Sequence, residues 1–322
     1  MIRKFILRRA ASSAIVLVLS VVTVFLSIRI LPGDPVLLKY GAQTGATPAA
    51  LDALRESAGL NAPLLVQLFT WLKGLPRGDF GTSFISQLPV SELVSQRIPA
   101  TLELTFCIVV TASVFSILLV LIAIRKPGSA TDRFIGYVTS IGFSTPSFII
   151  GIVLVYIFSL RWQILPSQGF KALNLGIAQN LQLMILPSIT GALVVSPYLI
   201  KYLRTSILET RVSSYIRTAK GKGLSNSKVL IRHILPNSIV PTLTMLGMIV
   251  GFALGGVFVI EYMFGVPGIG SLAIESASAR DYGVLQGVSV VVITLFILTT
   301  FAFDMICGFV DPRQRISQVK ST

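Results

Sequence analysis

Residues 282–303 read YGVLQGVSVVVITLFILTTFAF, a run without Asp, Glu, Lys or Arg. A helix rises about 1.5 Å per residue, so roughly 20 apolar residues cross a hydrocarbon core of about 30 Å. This run is long enough. Five others resemble it: 10–28, 104–124, 134–160, 172–200 and 233–260. The shortest, 10–28, is prolonged past Arg29 by Ile30 and Leu31. The next longest, 57–72, contains Asn61, Pro63 and Gln67. Charged residues make up only 12% of the 322, against about 25% in soluble proteins, and the mean hydropathy is +0.81. The expected fold class is an all-α integral membrane protein with six transmembrane helices.

The first run follows Arg3, Lys4, Arg8 and Arg9, as the core of a signal peptide would. It is longer than a signal core of about 7–15 residues, and no small-x-small cleavage site ends it. An uncleaved anchor helix is expected. With the N-terminus placed in the cytoplasm, the cytoplasmic segments 1–9, 125–133, 201–233 and 304–322 hold 18 basic residues. The opposite segments, 32–103, 161–171 and 261–281, hold 8. The positive-inside rule therefore puts both termini in the cytoplasm of a multi-pass inner-membrane protein.

The net charge of +14 is thus explained by membrane topology. The basic residues sit between the runs and form no aromatic-interleaved face, so nucleic acid is not an expected partner; lipid is. Cys107 and Cys307 fall inside apolar runs, His233 is the sole histidine and no CxxC occurs, so neither a metal site nor a disulfide framework is indicated. Cys107 and Cys307 are expected near opposite sides of the membrane and unpaired.

Two segments are too long to be simple turns. The external stretch 32–100 opens with LPGDP (31–35), whose prolines end the first helix. It continues through PAALDALRESA (48–58), after the N-cap candidate Thr47, and the amphipathic PLLVQLFTWLK (63–73), read as short surface helices. The cytoplasmic loop 201–235 reads as two short helices. Ser213 or Ser214 would cap the first, Gly223 would end it in a left-handed conformation, and Ser225 or Asn226 would cap the second.

This loop resembles the signature of binding-protein-dependent ABC import permeases: EAA, three residues, Gly, nine residues, Ile, one residue, Leu-Pro. Ala219, Gly223, Leu235 and Pro236 match in spacing, while Arg217, Thr218 and His233 replace Glu, the first Ala and Ile. That departure is similar to the dipeptide/oligopeptide/nickel subgroup, which often reads YxRTAxAKGL. RGDFGTS (77–83), RIPATLEL (97–104), FSTPSF (143–148), EYMFGVPGIG (261–270), RDYGVLQG (280–287) and DPR (311–313) join LPGDP in resembling its first-type ("B") permease. The family commonly has Pro where Gly283 stands.

The resemblance implies a type I ABC importer permease: a first helix and external segment over 1–95, a five-helix permease core over 96–310 and a cytoplasmic tail over 311–322. It implies a homologous second permease subunit, two cytoplasmic ABC ATPase subunits and an external substrate-binding protein. The chain has no GxxxxGK[ST], so it should bind no cofactor and be no enzyme, with ATP and Mg used by the ATPases. The helix around 213–222 would be the ATPase-docking coupling helix, with Ser214, Tyr215, Ile216, Arg217, Thr218, Ala219, Lys220 and Gly223. Tyr215 and Ile216 would be apolar anchors and Arg211, Arg217, Lys220 and Lys222 a charged rim.

Ser144, Pro146 and Ser147 mark a kinked third helix or a polar path lining. Gly247, Gly251, Gly255 and Gly256 thin the fifth helix for close packing. EYMFGVPGIG is expected as an external re-entrant turn, with Glu261 and Phe264 meeting the binding protein or closing an external gate. The competing class is a self-contained secondary transporter or channel, but such carriers usually keep ionisable residues inside their helices, and apart from His233 at an edge these runs have none. A membrane-anchored enzyme would need a catalytic set that is not recognisable. The solute is expected to be a peptide or a similar small molecule.

Overall fold

The computed structural model describes residues 2–30, 49, 52, 55–56 and 61–310. LPGDP, DPR and the tail 311–322 lie outside the described residues. Within 48–58, Ala49, Asp52, Arg55 and Glu56 are described, and all four are helical.

The charge-free runs become helices that extend beyond them at one end or both. The helices are α1 (Ile2–Ile30), α2 (Leu64–Gly74), α3 (Val90–Ala123), α4 (Ala130–Ser144), α5 (Ser147–Leu154), α6 (Ile177–Arg211), α7 (Ser214–Gly221), α8 (Asn226–Val229), α9 (Leu235–Phe264), α10 (Ile269–Ser278) and α11 (Tyr282–Val310). Five of them, α1, α3, α6, α9 and α11, are long and apolar enough to cross a membrane. The third run supplies the sixth span only if α4 and α5, with the widened turns of Val155–Arg161, are counted together.

That pair corrects the expectation of one kinked helix, because its halves are bent by 110°. Pro146 has no N–H to donate, and a proline disfavours the α region for the residue before it. Thr145 is accordingly extended, with φ −97° and ψ 120°. The freed hydroxyls turn back into α4: Thr145 Oγ1 donates to Ile141 O at 2.8 Å and Ser144 Oγ to Ser140 O at 3.2 Å.

The spans alternate in direction, which gives the bundle two ends. At one end the start of α1 meets the end of α11, where Arg9 pairs with Asp304. The end of α3, the start of α4 and the end of α6 gather there around α7 and α8. Their side chains form one apolar cluster that includes Val120, Ile124, Ile135, Leu203, Ile207 and Ile216. A second cluster runs through the middle between α3, α6 and α9, with Leu104, Ile108, Leu186, Leu199, Val257 and Phe264. The third closes the opposite end, where Val90 and Val94 of α3 pack on Ile269, Leu272 and Ala273 of α10 and on Val284 and Val288 of α11.

Gly142 of α4 faces Pro197 of α6, and a Cβ on Gly142 would come within 2.6 Å of Pro197 Cγ. The missing side chain is what lets these two helices touch. Gly247 and Gly251 admit Phe303 and Phe296 of α11 in the same way, whereas Gly255 and Gly256 have no atom within 4 Å of a Cβ. The expected close packing therefore covers only half of that glycine set. Cys107 and Cys307 are both free thiols.

Candidate coupling surface and translocation path

The helix expected to be the coupling helix, α7, begins after Ser213, whose backbone is extended at φ −65° and ψ 151°. Its hydroxyl does not cap the helix but donates to Thr210 O at 2.7 Å. The second short helix does receive its expected cap, Ser225 Oγ accepting from Lys228 N at 3.4 Å. Gly223 has φ +78° with no atom within 4 Å of a Cβ position, so the left-handed turn, and not crowding, calls for glycine there.

The two faces of α7 have different jobs. Ile216 (0% exposed) and Ala219 (8%) are buried in the cluster beneath the helix. This corrects the reading of Ile216 as a docking anchor, since it holds α7 to its own chain. The physical reason is angular: adjacent residues on a helix lie about 100° apart, so Tyr215 and Ile216 cannot share a face. Tyr215 is 46% exposed, and Ser214, Arg217, Thr218, Lys220, Lys222 and Gly223 are exposed with it. An aromatic with a rim of cations is thus presented on a helix fixed from behind.

An ion pair that the sequence reading missed lies beside this platform. Arg204 of α6 grips Asp132 of α4 with both arms of its guanidinium, Nε to Oδ1 at 2.9 Å and Nη2 to Oδ2 at 2.8 Å. Gly128 N donates to Asp132 Oδ2 at 2.8 Å, and Ser129 Oγ caps α4 by accepting from Asp132 N at 3.3 Å.

Midway along the bundle a cavity of about 460 Å³ is lined by α3, α6, α9 and the α4–α5 break. Pro146 and Ser147 line it together with Thr145; Ser144 does not. Ile108, Tyr198, Phe252 and Ile260 belong to the lining and were not singled out from sequence. Among the described residues, no lining residue carries a charge. Such a wall provides shape and apolar contact, with hydroxyls from Thr145, Ser147 and Tyr198, and no charged group to hold a solute in place.

At the end away from α7, EYMFGVPGIG makes its expected reversal. α9 stops at Phe264, Gly265 turns with φ 65°, and α10 starts back at Ile269. Glu261 and Phe264 are 0% and 1% exposed, so neither offers a surface to a docking protein, and that expectation is corrected. Glu261 instead accepts from Thr101 Oγ1 at 2.6 Å, Gly270 N at 2.7 Å and Ser271 N at 3.1 Å, while Thr101 Oγ1 accepts from Ile269 N at 2.7 Å. The carboxylate thereby satisfies the open N–H groups of α10, which no intrahelical carbonyl can reach. Phe264 packs in the central cluster, and its carbonyl accepts from Gly169 N at 2.9 Å.

RGDFGTS and RDYGVLQG meet in the same region: Ser83 Oγ donates to Asp281 Oδ2 at 2.5 Å and Phe84 N to Asp281 Oδ1 at 3.1 Å. Motifs that read as separate pieces of sequence thus pair in space.

Broken and continuous apolar helices with a cavity between them, carrying an anchored surface helix at one end, suit a multi-pass membrane permease. The chain belongs to the binding-protein-dependent transport system inner membrane components, the permeases of ABC importers. That family's model matches residues 112–316, and the model of its N-terminal region matches 1–105. A probable peptide ABC transporter permease protein, y4tP of Sinorhizobium fredii, is 35% identical over 97% of this chain and 99% of its own. The glutathione transport system permease protein GsiC of Salmonella typhimurium is 34% identical over 97% and 98%. The oligopeptide transport system permease protein AppB of Bacillus subtilis is 32% identical over 96% and 98%. Among solved structures, an inward-facing MetNI methionine ABC transporter chain aligns with TM-score 0.57 at 16% identity, covering 68% of this chain and 96% of its own. That likeness is one of fold. Membership in the family decides for the importer permease over a self-contained carrier or channel.

Proposed function

We propose that this chain is one of two homologous permease subunits that together form the pore of a peptide importer. Two cytoplasmic ATPase subunits bind ATP and Mg and drive it, and an external binding protein delivers the solute. Both termini and the α7 loop lie in the cytoplasm, and the end closed by α10 faces outward. The solute class rests on relatives named for peptide, oligopeptide and glutathione transport. The uncharged lining suits it, because solutes of varied side chains pass a wall that makes no fixed ionic contact.

The observation that carries the mechanism is the two-faced α7. Ile216 and Ala219 bind it to the bundle, while Ser214, Tyr215, Arg217, Thr218 and Lys220 remain open. A helix held this way can enter a groove on an ATPase as a rigid body, with Tyr215 as anchor and the cations setting register. ATPase closure then moves α7 and the cluster beneath it, and the cavity walls change access. Glu261 and Phe264 act within the outer seal, while Pro146 and Ser147 act at the path wall. The test is uptake of labelled peptides into vesicles holding the permease pair and its ATPases, with the binding protein added. Uptake that needs all the components and ATP is expected; uptake by this chain alone would contradict the reading.

A further inference from the structure

We propose that the Asp132–Arg204 ion pair is the link that carries movement of α7 into the α4–α5 wall of the cavity. This rests on the reading of α7 as the ATPase contact. Arg204 lies two turns before the end of α6, and α7 follows that end after a short turn. Leu203 and Ile207 of α6 pack with Ile216 of α7, so α6 and α7 share one foundation. Asp132 sits in the first turn of α4, and α4 leads directly to the 110° break whose Pro146 and Ser147 line the cavity.

Apolar packing alone fixes this arrangement poorly, because hydrophobic contact is non-directional. A bidentate guanidinium–carboxylate pair has a set geometry. The Asp132 side chain is only 5% exposed, against 36% for Arg204, and Gly128 N gives it a third hydrogen bond. The carboxylate thus fastens α4 both to its own capping turn and to α6. Further along, the Gly142–Pro197 contact holds the same two helices together. Held near both ends, α4 moves with α6, and the extended residue Thr145 is where it pivots against α5. Net stability is a weak reason for such a pair, since similar apolar residues often do as well. Fixed register between two moving helices is a better one. Asp132 and Arg204 are positioning residues: they touch no solute and act through α4.

The test uses the whole complex in lipid nanodiscs, with Cys107→Ser and Cys307→Ser as background. Spin labels on Val212→Cys, directly before α7, and Leu298→Cys report α7; labels on Ile141→Cys and Leu298→Cys report α4. All three sites are exposed. In the parent, ATP with vanadate should shift both distances. Asp132→Asn should keep the α7 shift, lose the α4 shift and lower peptide transported per ATP hydrolysed by about tenfold, a usual size for coupling between sites. The double variant Asp132→Asn/Arg204→Met removes both partners, a change often neutral for folding. It should show the same loss with parent-like insertion and thermal stability. An α4 shift retained in the double variant overturns the proposal, as does a double variant that fails to insert, which would mark the pair as structural. A parent in which α7 itself does not shift removes the underlying reading of α7, and the proposal with it.

Discussion

Thr101 and Glu261 are separated by 160 positions in the chain and meet at 2.6 Å. Around that bond the end of α9, the start of α10 and the first half of α3 become one body. The glutamate is fully buried, and its partners are all donors.

Removing that carboxylate strands the N–H groups of Gly270 and Ser271 in a dry interior. Glu261→Ala is expected to destabilise the protein by about 3 kcal/mol, the scale of losing hydrogen bonds to a buried charged group. Glu261→Gln should destabilise less, because its amide oxygen can accept from both backbone N–H groups while its NH₂ faces Thr101 Oγ1, which then loses the acceptor for its own proton. Thermal unfolding of the detergent-solubilised complex measures both; a parent-like midpoint for Glu261→Ala would show that the latch does not hold the outer end together.

The two faces of α7 predict opposite outcomes for neighbouring substitutions. Tyr215→Ala should weaken ATPase binding by about tenfold, the size of a modest interface anchor, and leave the thermal midpoint alone. Ile216→Ala should cost about 2–4 kcal/mol of stability through the cavity it leaves. Titration of ATPase onto nanodisc-embedded permease, beside a melting curve, separates them. Equal effects of the two variants in both assays would contradict the division of faces.

Topology gives a third expectation. Arg77→Cys should react with an impermeant maleimide added outside intact cells, and Lys228→Cys only after the membrane is opened. Both positions are exposed, so access depends on the side of the membrane. Reversed labelling would overturn the assigned orientation.

Close approach of α4 and α6 gives a fourth. Gly142→Val places a Cβ within 2.6 Å of Pro197 Cγ and should cost about 1–3 kcal/mol, as overpacking usually does. Thermal melting of the purified complex again measures it, and an unchanged midpoint would mean the helices part freely there.

The long spans were legible because lipid demands long charge-free runs, and Asp, Glu, Lys and Arg mark their ends plainly. The α4–α5 bend was legible only in part. Pro146 announces a break, but its angle depends on how α4 lies against α6, and the Gly142–Pro197 contact joins residues far apart in sequence. Ile216 is different, because the signal was present. Ile216 and Ala219, three apart, are the inward face of a helix, and their spacing argues against grouping Ile216 with Tyr215. The Asp132–Arg204 pair had only a hint: an acid between the cations Lys126 and Arg133 in a segment expected to be basic. Its partner, 72 positions away, cannot be read from spacing. The motif marks Glu261 for contact with a binding protein or for a gate, but does not say which backbone N–H groups will converge on its carboxylate.

Coupling through α7 is tested most directly at Gly223. Its φ of +78° ends the helix, and open space surrounds its Cβ position, so a side chain acts there through the backbone alone. A β-branched residue in that conformation is strained by about 1–2 kcal/mol, enough to redirect a short helix and too little to unfold the bundle. Gly223→Val changes no charge and leaves the apolar spans untouched. The measurement is peptide uptake and binding-protein-stimulated ATPase activity in reconstituted vesicles, normalised to inserted protein. Normal insertion and pairing of the permeases are expected, with both activities reduced. Parent values for both activities would show that this segment does not carry the coupling.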